Sequence, residues 1–153
     1  MAFRNGKASC SLCTTATTPP VSGDFPVLAS ADCPSGIVPD DLVYVTGTAI
    51  AGIMQVAKVD VTDRAKMPAY GIVVSKSTAT RCVVQTLGQY TTGVSLTPGK
   101  PVYVSATGQP ISAKPTLGGA PAIAITQIIG YAWDTNKIFL NLGDFSLIIA
   151  VAS

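Results

Sequence analysis

The chain has 153 residues, ten Lys and Arg against eight acidic residues, and a formal net charge of +2. That charge is too small to draw it to a nucleic-acid backbone, and no apolar run reaches the roughly 20 residues that a bilayer-spanning helix needs. His and Glu are both missing, since all eight acidic residues are Asp, so the commonest general base and every His-dependent triad are excluded.

Glu favours helices, whereas the abundant Thr, Val, Ile, Gly and Pro favour strands and turns. Only 12% of residues are charged, about half the usual soluble level. Burial of apolar surface against other subunits is one remedy, which makes the composition a hint of assembly. The N-terminus, MAFRNGKASCSLC, lacks the continuous apolar stretch of a secretion signal, and synthesis in a cytoplasm is expected.

Residues 1–40 differ from the rest. Pro19, Pro20, Pro26, Pro34 and Pro39 interrupt any regular element. The segment reads as an extended arm or a disordered tail. Phe3, Phe25, Val27 and Leu28 are apolar anchors that favour the arm. Three of the four Cys lie here. Cys10-x-x-Cys13 has zinc-knuckle spacing, with Cys33 downstream, but a structural zinc site wants four ligands. Cys82 would be the fourth only if the arm folds back on its strand. A disulfide joining Cys33 to Cys10 or Cys13, or free thiols, are the other readings. Cys82, inside an apolar run, reads as a buried small hydrophobe.

A body follows over residues 41–153. Strands are expected at 42–46, 52–61, 70–75, 81–86 and 88–93, with a polar connection at 62–68 holding one helical turn. The two faces of 52–61 are not cleanly apolar and polar, as suits a strand between two packing surfaces. Thr97-Pro98-Gly99 predicts a type II turn. Further strands are expected at 101–105 and 109–113, then a Gly/Pro loop at 114–121. A long strand at 122–133, bulged at Gly130, turns at 134–136 into 137–142, and a last strand covers 145–152. So many short strands specify an all-β fold, a small antiparallel β-sandwich or β-barrel with an extended N-terminal arm.

Reactive clusters are scarce. Asp40 and Asp41, as extended neighbours, point apart. Asp60 and Asp63 could converge on a cation, but calcium sites gather more oxygens than this. Gly118-Gly119 lacks the spacing and the helix of a dinucleotide fingerprint. Tyr44, Tyr70, Tyr90, Tyr103 and Tyr131 fall in separate strands, which fits core or interface packing better than a base-stacking platform. Nothing in the sequence supports a sugar site at Trp133. No cofactor and no metal are expected, and the chain does not read as an enzyme.

Residues 93–112 hold Leu-Thr-Pro-Gly-Lys-Pro-Val-Tyr-Val-Ser and Ala-Thr-Gly-Gln-Pro-Ile-Ser; residues 127–142 hold Ile-Ile-Gly-Tyr-Ala and a closing strand. This pattern resembles that of β-rich virion proteins of tailed bacteriophages, among them capsid decoration (cement) proteins, head fibres and tail fibres. The resemblance implies a homotrimer, made in the host cytoplasm, that decorates the capsid surface of the virion and stabilises contacts between subunits of its partner, the major capsid protein. The arm, with Phe3, Arg4, Phe25, Val27 and Leu28, would contact the capsid. The last strand, with Phe145, Leu147, Ile149 and Val151, would join subunits. No nucleic acid or membrane is implied. A tail fibre, spike or other receptor-binding virion module is the alternative.

Overall fold

Val43 and Val73 point one way while their chain neighbours Leu42 and Ile72 point the other, and all four are fully buried. Side chains alternate across a strand, so the strands that carry them must be covered on both faces. The computed structural model describes residues 26–117, 123 and 125–142, and the backbone of 148–151. It shows how that double covering arises.

The protein is all-β. Its described strands are β1 (Val27–Asp32), β2 (Leu42–Val45), β3 (Met54–Lys58), β4 (Gly71–Thr78), β5 (Arg81–Thr91), β6 (Pro101–Val104), β7 (Pro110–Ile111), β8 (Ile125–Asp134), β9 (Lys137–Asn141) and β10 (Ile148–Val151). A 3₁₀ turn at Arg64–Lys66 occupies the expected polar connection, and Asp63 caps it by accepting from the Ala65 amide. Strands pair in the order β1-β3-β2-β4-β5, and β1 also pairs with β5, which closes a five-stranded barrel. From the far half of β5 a second sheet runs on through β9, β8, β6 and β7, with β10 paired to β8.

Two cores follow. Ala31, Cys33, Ile37, Val43, Val56, Val73, Cys82 and Val84 fill the barrel lumen. Leu42 and Ile72, on the outer barrel wall, join Val102, Val104, Ile129, Ile138 and Leu140 of the second sheet in a larger core. Complete burial of each such side chain stabilises by about 1.5–3 kcal/mol. The expected double-faced strand at 52–61 divides between the two cores: Val56 points into the lumen, while Val59 and Val61, beyond the end of β3, join the larger core.

Three expectations need correction. Residues 27–40 are not an arm: β1 is a barrel strand that turns the small Ala31 into the lumen, and Cys33 and Ile37, just after it, follow inside. Any arm lies before Pro26, outside the described residues. The barrel is also not wholly antiparallel, since β1 runs parallel to β3. Finally, the strands expected at 81–86 and 88–93 are one, β5, which pairs with β1 and β4 through its first half and with β9 through its second. The turn at Thr97-Pro98-Gly99 forms as expected, with Gly99 at φ 77°, a conformation open to Gly at no steric cost.

Polar ties hold the closure. Asp32 stands opposite Gln55 on β3 and Arg81 on β5. It accepts from Gln55 Nε2 at 3.1 Å and pairs with Arg81 Nη2 at 3.1 Å. Asp41, 1% exposed, pairs with Lys58 Nζ at 2.7 Å and accepts from the Val38 amide at 3.0 Å. Asp40 turns the other way, accepting from the Tyr90 hydroxyl at 2.8 Å and the Gly93 amide at 2.9 Å.

Burial, helped by the Asp40 carboxylate, raises the Tyr90 hydroxyl above its ordinary value of 10.0. Burial also pushes the Cys82 thiol from 9.0 up to about 12. Both groups are neutral when protonated, and the folded state keeps their protons longer than the unfolded chain. Their contribution is therefore fully present below pH 9 and is lost as pH climbs above the unfolded values. The melting temperature should fall steeply above about pH 10. Tyr90→Phe should flatten part of that fall while costing about 1 kcal/mol at neutral pH; thermal scans across the alkaline range check both.

Candidate docking face

Alternation along β8 and β9 decides what the second sheet shows to solvent. Ala132, Ile138 and Leu140 point into the larger core, so Tyr131, Trp133 and Phe139 point out. The turn at Thr135–Asn136 joins the two strands and sets Tyr131 directly opposite Phe139. Cross-strand aromatic pairs interact through their rings. Trp133, two residues on, shares their face. Its ring lies under the Lys137 ammonium, 4.8 Å from the centroid, and Lys137 also pairs with Asp134 at 3.8 Å. Tyr131, Trp133 and Phe139 remain 57%, 49% and 39% exposed.

The face extends toward the barrel. Gln89 on β5 stands opposite Phe139, and Leu87, two residues earlier, stands opposite both Asn141 on β9 and Val27 on β1. Residues opposite one another share a face. Val27 and Leu28, 50% and 51% exposed, thus border the strip that runs through Leu87 and Phe139 to Tyr131 and Trp133. Two residues expected to contact a capsid therefore lie beside an aromatic hairpin. Exposed apolar groups that gather in one strip mark contact sites more than the same groups scattered singly.

Other expected site residues lie elsewhere. Phe3, Arg4, Cys10, Cys13, Phe25, Phe145 and Leu147 are outside the described residues. Ile149 and Val151 sit on β10, whose backbone pairs with β8 of the same chain. Cys33 and Cys82 are free, buried thiols. Asp60 and Asp63 converge on the Lys66 ammonium, at 3.5 and 3.4 Å. Among the described residues no group of three or more Cys, Asp or other ligating side chains is placed to hold a metal, and no helix is long and apolar enough to cross a membrane.

Alternation along a single strand does not reveal the strip, because its members come from different strands and meet only through register. The signal was the hairpin: a tight turn at 134–136 with outward positions at 131, 133 and 139 and inward ones at 132, 138 and 140.

No family model matches the chain, and no curated protein matches it. Among solved structures it is similar to the head fiber gp8.5 N base of bacteriophage phi29, with a TM-score of 0.36 and 10% identity over 77% of this chain and 96% of that one. A likeness at that score and identity carries no weight for function.

Proposed function

We propose that the chain is a structural protein of a bacteriophage virion, without catalytic activity, that decorates the outer surface of the head and stabilises contacts between major capsid subunits. The carrying observation is the aromatic strip: Tyr131, Trp133 and Phe139 stand exposed on a hairpin whose inner face is locked into the larger core. A rigid support lets such side chains dock without a large ordering cost. The phage-like segments fit the same reading, because 93–112 and 127–142 supply β6 to β9, and β8 pairs with both β6 and β9. Repeated attachment over a shell adds multivalency, so each contact can be modest. Homotrimers around local three-fold positions would present three such strips at once.

The test is binding of the purified chain to heads that lack it. A Tyr131→Ser, Trp133→Ser, Phe139→Ser variant should lose at least tenfold in occupancy while remaining folded, with a melting temperature lower by several degrees because the Tyr131–Phe139 pair and the Lys137 contact are lost with the rings. Undiminished occupancy by that variant would refute the docking role. Quantitative mass spectrometry of intact particles decides location. Many copies spread over the head support decoration, whereas a few copies on the tail support a receptor-binding module instead. Light scattering of the purified chain reads its oligomeric state.

A further inference from the structure

The seam between β1 and β5 closes the barrel, and two thiols lie across it. Ala31 stands opposite Cys82, and the Cys33 amide donates to the Thr80 carbonyl at 2.9 Å, so Cys33 and Cys82 are diagonal neighbours on the lumen face. Both are free and buried, at 5% and 0% exposure, in the same cluster. Diagonal neighbours on paired strands lie about 7–8 Å apart, so a disulfide between them draws β1 slightly along β5. Cys33 differs in one respect: it borders an open cavity of about 570 Å³ at the barrel's end, beside Asp32, Gln55, Thr80 and Arg81.

We infer that Cys33 and Cys82 are a latent cross-link, a disulfide that a small-molecule disulfide oxidant installs across the barrel seam by way of this cavity. The Cys33 thiolate attacks the oxidant, forming a mixed disulfide and releasing one thiol. The Cys82 sulfur then attacks the Cys33 sulfur, a new S–S bond forms, and the second thiol leaves. Two protein thiols lose two protons and two electrons, and the oxidant gains them as two small thiols.

The thiolate is the nucleophile. Cys82 is held protonated by burial first and then by the adjacent Cys33, while Asp32 on β1 adds to that effect and Lys76 on β4 opposes it. Closure is therefore slow at neutral pH and accelerates about tenfold per pH unit until Cys82 titrates.

The experiment uses the full chain with Cys10→Ser and Cys13→Ser, which leaves Cys33 and Cys82 as its only thiols. The folded protein is incubated with oxidised glutathione at several alkaline pH values. Expected are the loss of both thiols on denaturation, a mass lower by two hydrogens, a cross-linked peptide joining the β1 and β5 segments, and a raised melting temperature that a reductant reverses. Adding Cys82→Ser should stop the reaction at one glutathione adduct. Persistent thiols, a stable adduct with Cys82 present, or a cross-link between two chains would each overturn the inference. Peptide mapping of the oxidised unsubstituted chain guards against an effect of the Ser substitutions, and a link from Cys33 to Cys10 or Cys13 there would overturn it as well.

Discussion

Gly130→Ala is expected to destabilise the protein by about 3 kcal/mol or more, at the upper end of what overpacking costs. A Cβ at Gly130 would overlap the carbonyl oxygen of Phe139 and come within 3.0 Å of its carbonyl carbon and 3.2 Å of Ile138 Cγ2. Those first two atoms belong to the backbone of the paired strand and cannot swing aside. The only relief is to separate β8 from β9, and both strands carry the larger core through Ile129, Ile138 and Leu140. Gly130 also marks a register shift against β6, where Val102 pairs with Gly130 but Tyr103 pairs with Ile128. Chemical denaturation of Gly130→Ala measures the loss. A denaturation midpoint matching the parent's would show that β8 and β9 do not approach so closely. Gly130→Val should be worse still.

Gln127→Ala should cost a similar amount by a different route. Gln127 is 1% exposed. Its Oε1 accepts from the Ala69 amide at 2.7 Å, and its Nε2 donates to the Ala69 carbonyl at 3.1 Å. One side-chain amide thus satisfies both polar groups of a backbone residue in the connection between β3 and β4, where Met67 and Ala69 sit in the larger core. Truncation strands a buried donor and a buried acceptor, at about 1–3 kcal/mol each, and leaves a cavity besides. The sum is about 3–5 kcal/mol. Asn141→Ala, an exposed amide on the neighbouring strand β9, should stay within about 0.5 kcal/mol and serves as the reference. Equal midpoints for the two variants would show that the Ala69 bonds contribute nothing net.

The contrast between these positions shows how far the sequence could be read. A bulge near Gly130 was legible, because Gly interrupts an otherwise apolar run of strand formers. So were the turns at Gly99 and at 134–136, where local chemistry fixes the backbone. The strands β2, β4, β6 and β9 were legible from alternation or a short apolar run. Gln127 was not, since its role depends on Ala69, 58 positions away in sequence. The strand β1 was missed because Pro26 and Pro34 bracket it and the inward residues on and just after it, Ala31 and Cys33, are small. A barrel lumen selects small side chains, and a hydrophobicity pattern gives them little weight. The docking strip was hidden for a related reason. Register between strands, which sets Tyr131 against Phe139 and Leu87 against Val27, is invisible along any one strand.

β5 makes the molecule hard to divide. Its first half completes the barrel and its second half starts the next sheet, with no linker at the changeover. Leu42 and Ile72, on strands of the barrel, are also walls of the neighbouring core. A gene fragment ending before β6 would encode a barrel with that greasy flank bare, and one beginning after β5 would encode a sheet lacking its first strand. Barrel and sheet are therefore expected to unfold together in one cooperative transition.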